Sequence, residues 1–149
     1  MSTNPGMSPR MSLAMAMTVL RGCQEYAAER GHTVTVSVVD AAGRLMLTVR
    51  GDGTGFFTPE TSRGKAVAAA GFRRRTSDLD REAGSGFFAA VPALLTDQIL
   101  TSPGGAPLLL EGGIIGAVGV GGAPAEVDQE CADAGAELLV ATYAAGGVA

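Results

Sequence analysis

The chain has 149 residues and a formal net charge of -4, which suits one domain with an ordinary hydrophobic core. Hydrophobic residues make up 46% of it and charged residues 17%, a balance typical of a globular protein and not of a disordered one. The acidic balance excludes a general nucleic-acid binder, and no apolar run is as long as the roughly 18 residues of a membrane span.

The domain organisation is predicted to be simple. We interpret residues 1–11 as a flexible tail and residues 12–149 as a single domain. The first segment has no A-x-A cleavage site, so we expect a cytoplasmic protein. Cys23 and Cys131 lie far apart in predicted helices, which indicates buried thiols and a reducing compartment, with neither a disulfide nor a metal knuckle.

The first third of the chain predicts a helix followed by a hairpin. Apolar side chains recur at helical spacing from Ser12 to Arg30, and Gly31 is a typical helix stop. The residues from His32 to Val39 alternate between apolar and polar, and so do residues 45–50. The turn sequence at 40–43 joins these two segments, which predicts an antiparallel hairpin.

A glycine-rich loop and a second helix come next. Thr58 is the predicted cap of this helix and Pro59 lies in its first turn, and the helix is expected to run to about Arg74. Residues 77–105 show the least regular pattern, although the apolar residues from Pro92 to Leu95 are compatible with a helical turn.

Six glycines lie between Leu108 and Gly122, and their spacing fits no phosphate-binding motif. From Gly119 the third glycine of G-x-G-x-x-G is missing, and no Walker lysine follows. The glycines instead predict a hairpin turn at 111–113. Gly116 and Gly119 are predicted to be flat positions where a helix or ligand approaches the sheet closely.

The last segment, from Pro124 to about Tyr143, predicts an amphipathic helix with acidic residues in its first turns. The element order is therefore α-β-β-α, an irregular segment, then β-β-α. This order predicts an α+β protein whose sheet is built from two hairpins with helices packed on its faces.

Three charged residues near one end of the first hairpin form the main candidate site. Arg50 and Lys65 could hold a carboxylate while Asp52 moves a proton. The alternative is a structural ion-pair network of the same residues. His32, the only histidine, is a candidate proton shuttle or axial ligand, or else an exposed residue at the sheet edge.

Aromatic and basic residues add further candidates. The pairs Phe56–Phe57 and Phe87–Phe88 could wall an apolar ligand pocket, or instead close the core or a subunit interface. Arg63 and the run 73–75 indicate either an anionic ligand or a solvated helix end. Because no Ser-His-Asp elbow, H-E-x-x-H motif or metal-ligand spacing occurs, we expect neither triad chemistry nor a metal site.

Three segments, in this order, resemble the GlcG/HbpS family over about residues 12 to 142: VVDAAGRLMLTVRGDG, TPETSRGKAVAAAGF and GGAPLLLEGGIIGAVGVGG. The resemblance implies a profilin-like antiparallel sheet covered by helices, assembly into homo-oligomers, and haem as a candidate ligand. The family motifs fall on Val38, Val39, Asp40, Gly43, Arg50, Asp52, Gly53, Lys65, Ala66, Gly116, Gly119, Val120 and Gly122.

Two functions remain open from the sequence. The first is a module that binds haem or another small molecule in a pocket near Arg50, Asp52, Phe56, Phe57 and Lys65. The second is a cofactor-free isomerase, cyclase or lyase acting on a small oxygenated metabolite. It would use Asp52 or His32 as base, with Arg50 or Lys65 stabilising a developing oxyanion.

Overall fold

The computed structural model describes residues 10–82, 84, 86–95 and 98–144, so residues 1–9 of the predicted tail lie outside it. Its elements, in chain order, are α1 Leu13–Glu29, β1 Thr35–Asp40, β2 Leu45–Val49, α2 Thr58–Phe72, α3 Thr76–Arg81, α4 Gly86–Leu94, β3 Gly105–Leu110, β4 Gly113–Gly121 and α5 Ala125–Tyr143. Within the described residues, no helix has the length and apolarity needed to span a bilayer.

The four strands form one antiparallel sheet in the order β2-β1-β4-β3. Each hairpin contributes two neighbouring strands, and the hairpins join through β1 and β4. Helix α2 packs on one face of the sheet, while α1 and α5 pack together and cover the other face. The predicted α+β arrangement of two hairpins with helices on the sheet faces is confirmed.

The side chains of β1 lie on two chemically different faces of the sheet, as the alternation of apolar and polar residues predicts. Val36 and Val38 are fully buried in the core beneath α1 and α5. Thr35 and Ser37 point the opposite way, towards α2, and the hydroxyl of Ser37 lies 2.7 Å from that of Ser62. Because buried hydroxyls need partners, this polar row fixes the position of α2 on the sheet.

Both hairpin turns lie where the sequence predicts them. The Asp40 carboxylate accepts hydrogen bonds from the backbone N–H groups of Ala42 and Arg44, at 2.9 and 3.0 Å. The second turn places Glu111 and Gly112 at φ 53° and 80°. Two successive positive φ angles match the twist of a tight hairpin, which explains the glycine.

The predicted start of α2 is wrong in one detail. The N-cap residue is Phe57, which makes no capping hydrogen bond through its side chain, and Thr58 is already the first helical residue. Its hydroxyl instead donates to the carbonyl of Gly55 at 2.8 Å, because the preceding loop offers it a buried acceptor. The helix ends at Phe72, two residues before the predicted end, and Arg73 terminates it in the left-handed conformation at φ 58°.

The segment that gave no clear pattern forms two short helices, α3 and α4. The helical turn predicted from Pro92 begins within α4, which ends at Leu94. Leu79 of α3 is fully buried, and the rings of Phe87 and Phe88 pack edge-on against Phe72, with centroid distances of 6.2 and 5.4 Å. Short helices depend on tertiary packing, so their own periodicity predicts them poorly.

The flat position predicted at Gly119 is confirmed for helix packing, whereas the close neighbours of Gly116 are strand β1 and a residue before α1. A Cβ on Gly119 would collide with the carbonyl oxygen of Ser62 and lie 2.7 Å from the amide nitrogen of Ala66. A Cβ on Gly116 would collide with the carbonyl oxygen of Val39 on the neighbouring strand β1, and it would lie 2.9 Å from the methyl group of Met11. The missing side chains therefore let α2 and the segment before α1 approach the sheet on opposite faces.

Both thiols are buried, as expected, Cys23 on α1 and Cys131 on α5. Burial raises the pKa of Cys23 above its ordinary value and that of Cys131 to about 12. Because the thiolate is the reactive form, we expect the native protein not to react with Ellman's reagent within minutes at about pH 8. After denaturation in guanidinium chloride, both thiols should react at the rate of a free thiol. A fast thiol in the native protein would contradict the buried packing.

Candidate ligand-binding clefts

The charged residues singled out in the sequence divide between two clefts. The first, called the His32 cleft, has a volume of about 270 Å³. It is lined by Gln24, Ala27, Ala28, His32, Thr33, Val34, Arg50, Gly51 and Asp52. The end of α1, the entry to β1 and the loop after β2 supply these residues. Arg50 and Asp52 thus lie in one cleft with His32, which the sequence indicated as an alternative base to Asp52.

Local hydrogen bonds shape the loop that carries Arg50. The guanidinium donates to the carbonyl of Thr54 at 3.3 Å, and the Gly51 N–H donates to the hydroxyl of Thr35 at 3.2 Å. A Cβ on Gly51 would collide with the carbonyl oxygen of Val34, so only glycine lets the loop lie this close to β1. The loop therefore holds Arg50 beside the half-buried His32.

Lys65 lies in a second cleft of about 370 Å³, called the Lys65 cleft. Its lining residues are Gly55, Phe57, Thr58, Thr61, Lys65, Leu100, Ser102, Gly121, Gly122, Ala123 and Asp128. The first turns of α2, the end of β4 and the start of α5 meet here. The predicted group of Arg50, Asp52 and Lys65 is therefore not one cluster in the structure, because α2 directs its lysine to the far side of the loop.

An ion pair closes the bottom of the Lys65 cleft. The Lys65 ammonium donates to the backbone carbonyl of Val120 at 2.8 Å and to Oδ2 of Asp128 at 3.4 Å. The two side chains are only 7% and 5% exposed. The other carboxylate oxygen, Oδ1, accepts from the N–H of Ala123 at 3.0 Å. A buried charge is costly when it has no partner, so each of the two groups needs the opposite charge of the other at this depth.

Burial shifts the pKa of both members of this pair. Desolvation lowers the pKa of the Lys65 ammonium and raises that of the Asp128 carboxyl, while the attraction between the two charges opposes both shifts. Such a pair inside a cleft is typical of functional sites. Sequence reasoning missed Asp128, which it interpreted only as one of several acids at the start of the last helix.

Buried hydroxyls connect the walls of the two clefts. The Thr58 hydroxyl, in the Lys65 cleft, lies 2.8 Å from that of Thr35. Thr35 in turn accepts from the N–H of Gly51, which lines the His32 cleft. The Thr54 hydroxyl joins the same network, 2.9 Å from Thr35. This chain of small polar groups fixes the loop and α2 relative to each other.

The remaining aromatic and basic candidates are dispersed. Phe57 lines the Lys65 cleft, whereas Phe56 is 85% exposed beside it. Arg63 lies in a third cleft of about 370 Å³, between α2 and residues 98–100. Phe87 and Phe88 pack on Phe72, far along α2. Of the three clefts described among residues 10–82, 84, 86–95 and 98–144, none is lined by both aromatic pairs.

Two arginines of the run that follows α2, Arg74 and Arg75, form ion pairs. Arg74 binds the carboxylate of Glu82 through two nitrogens, at 2.9 and 3.2 Å. Arg75 binds both carboxylate oxygens of Asp133 on α5. These partly exposed pairs connect the segment after α2 to the end of α3 and to α5. This environment favours the predicted helix-end role over binding of an anionic partner.

The family model for "Haem degrading protein HbpS-like" matches residues 11–137. Protein GlcG of Escherichia coli K12 is 34% identical over 110 residues, which cover 74% of this chain and 80% of that protein. A crystal structure of a Streptomyces reticuli HbpS variant superimposes with a TM-score of 0.78 at 30% identity, covering 93% of this chain and 95% of the other.

A crystal structure of a PduOC complex with haem shares the fold, with a TM-score of 0.81 at 24% identity, and covers 87% of this chain and 95% of that one. The family match spans most of the chain, and the sequence motifs, the four-stranded antiparallel sheet and the helix arrangement all agree with it. The chain belongs to the HbpS-like family.

Proposed function

We propose that the protein binds haem in the His32 cleft. One observation carries this proposal: the only histidine of the chain and Arg50 line the same cleft. An imidazole is a common axial ligand of haem iron, and a guanidinium pairs well with a carboxylate such as a haem propionate. The description of the family model as a haem-degrading protein supports the same ligand.

The residues present fit one edge of a haem. Ala27, Ala28 and Val34 supply an apolar wall against which a flat macrocycle can pack. A volume of about 270 Å³ lies at the small end for a ligand pocket, so part of the ring would remain outside the cleft. Bound haem supplies redox-active iron; this chain's residues would supply the axial nitrogen, the apolar wall and a charge partner for a propionate.

A haemin titration followed by visible absorbance tests this proposal. We expect a saturable Soret shift at one haemin per chain, lost in His32→Ala because the axial nitrogen is removed. Arg50→Ala should weaken binding about tenfold, the loss of one charge-assisted hydrogen-bond pair. Arg44→Ala, an exposed arginine in the first hairpin turn, is the matched control and should bind as the wild type does.

Two results would contradict the proposal in different ways. A Soret shift that is unchanged in His32→Ala would remove His32 as the ligand. The absence of a saturable shift in the wild-type protein would remove haem altogether.

A cofactor-free isomerase, cyclase or lyase is the second candidate. The observation that favours it is the buried Lys65–Asp128 pair, which places a proton donor and a proton acceptor at the bottom of an open cleft. If Asp52 or His32 is the base, as the sequence suggested, the reaction would take place in the His32 cleft and not in the Lys65 cleft. Loss of turnover in Asp128→Asn, but not in Asp52→Asn, would distinguish the two clefts.

We also propose a cytoplasmic setting for the protein. Two buried, unpaired thiols are typical of a reducing compartment, which supports a cytoplasmic protein.

The large exposed apolar side chains support assembly into a homo-oligomer that covers part of this surface: Phe56, Leu94, Phe87 and Leu13 are each at least 60% exposed. Sedimentation velocity would measure the assembly directly.

A further inference from the structure

Lys65 is chemically unique in this chain. Of the 11 lysine and arginine residues, it alone is a lysine. Five of the arginines, Arg21, Arg30, Arg74, Arg75 and Arg81, form ion pairs in which the arginine side chain is 39% exposed or more. A guanidinium cannot lose its proton in a protein, whereas a lysine amine can do so when it is buried. The only side-chain amine of the chain therefore lies in a buried environment that favours its neutral form.

The position of the amine is also suited to reaction. Two of its three hydrogen-bonding directions are occupied, by the Val120 carbonyl and the Asp128 carboxylate. A Cβ on Gly121 would lie 3.9 Å from Nζ, and one on Gly104 would lie 2.9 Å from it. The backbone of Gly104 therefore packs directly against the amine, whereas Gly121, which lines the cleft, carries no side chain that would cover Nζ from that side.

The walls of the cleft indicate what it could admit. Phe57 and Leu100 supply apolar surface, and Thr61 supplies a hydroxyl near the opening. The paired charges of Lys65 and Asp128 cancel, so the cleft has no excess positive charge that would attract an anion. An uncharged compound with a small apolar substituent suits it better.

We propose that Lys65 is a nucleophilic amine that forms a reversible imine with a small aldehyde bound in the Lys65 cleft. The lone pair of Nζ attacks the carbonyl carbon, and the π electrons of the C=O bond move to its oxygen. Asp128 accepts a proton from the nitrogen and delivers it to that oxygen, giving a carbinolamine. Cleavage of the C–O bond, with a second proton transfer, releases water and leaves the C=N bond.

Burial lowers the pKa of Lys65, which raises the fraction of reactive amine near neutral pH and supports this chemistry. Asp128 is placed for the proton transfer by its hydrogen bond from Ala123, which fixes Oδ1 and leaves Oδ2 directed at the amine. The inference concerns a different cleft from the His32 cleft and does not depend on haem.

Reductive trapping tests the inference, because an imine reduced by cyanoborohydride becomes a stable secondary amine. The protein is incubated with benzaldehyde and sodium cyanoborohydride, and the modified residue is located by peptide mass mapping. The amino terminus, the other primary amine of the chain, is the internal reference. We expect Lys65 to gain one benzyl group at least ten times faster than the amino terminus gains one.

Variants separate the chemistry from simple exposure. Asp128→Asn keeps an acceptor for the Ala123 N–H but removes the base, and should slow labelling of residue 65 about a hundredfold. Phe57→Ala should slow labelling by benzaldehyde but not by acetaldehyde, because only the aryl group contacts that wall. Lys65→Arg should lose the mapped modification while circular dichroism stays that of the folded protein.

Three outcomes would overturn the inference, and all of them are measured on the wild-type protein, so none requires that a variant fold. The first is a native Lys65 that labels no faster than the amino terminus. The second is labelling of Lys65 only after the protein is denatured in urea. The third is faster labelling by glyoxylate than by benzaldehyde, which would mean that the cleft selects anions and not uncharged aldehydes.

Discussion

Replacing Gly119 with alanine is expected to destabilise the protein by about 3 kcal/mol or more. The added Cβ would collide with the backbone of α2 at Ser62 and would lie 2.7 Å from the amide nitrogen of Ala66. Both atoms belong to the helix backbone, which no side-chain rotation can move away. The helix would have to lift from the sheet, and the buried hydroxyl contact between Ser37 and Ser62 would open with it.

Urea unfolding followed by circular dichroism measures this effect, and Gly71→Ala is the matched control. Gly71 also belongs to α2, but a Cβ there would meet nothing within 4 Å. Alanine is a better helix former than glycine, so this variant should gain about 0.5–1 kcal/mol. A Gly119→Ala protein as stable as the wild type would contradict the close packing of α2 on β4.

The second large effect is expected for Lys65→Met, which leaves Asp128 buried without its cation. Removing one member of a buried ion pair costs about 3–5 kcal/mol, because the remaining charge keeps its desolvation penalty. Asp128 is only 5% exposed, and its remaining hydrogen-bond partner is the N–H of Ala123, while the electrostatic effect of His32 lowers the pKa of its carboxyl. We expect a loss of free energy of unfolding in the lower part of that range at about pH 7.

The free energy of unfolding that Lys65→Met loses should increase as the pH rises. Desolvation already raises the pKa of Asp128 above its unfolded value, and removal of Lys65 raises it further. For a carboxyl with a raised folded-state pKa, the contribution to stability is present below the unfolded pKa and lost as pH rises through the folded pKa. The gap between variant and wild type should therefore widen from about pH 4 to about pH 7.

A second variant separates the charge from the packing. Lys65→Met combined with Asp128→Asn carries no buried charge but keeps the acceptor for Ala123, so it should recover most of the lost stability and show little pH dependence. Equal stability of the single and double variants at about pH 7 would show that the unpaired carboxylate is not the cause of the loss.

Local chemistry explains which parts of the fold were predictable. The alternation of Val36 and Val38 with Thr35 and Ser37 assigns two faces to β1 whatever packs on them, because side chains alternate along a strand. Asp40 and Gly112 specify their turns through hydrogen bonds and φ angles between near neighbours. These features need no partner from a distant part of the chain.

Contacts between distant residues, and not local sequence patterns, determine helices α3 and α4 and the first residue of α2. Leu79 and Phe88 are held by α2 and its neighbours, contacts between distant residues that a short segment does not encode in its own periodicity. Thr58 carries the signature of an N-cap, yet its hydroxyl donates to a loop carbonyl and joins the hydroxyls of the sheet.

By itself, the sequence determined the antiparallel α+β fold, the family and the residue types available for binding. Only the tertiary structure decided how those residues are combined. It placed Arg50 and Asp52 beside His32, and it directed Lys65 from α2 to Asp128 on α5, 63 residues away in the chain. The physical reason is that hydrogen-bonding and backbone preferences act between neighbours, whereas a cleft forms where distant elements pack.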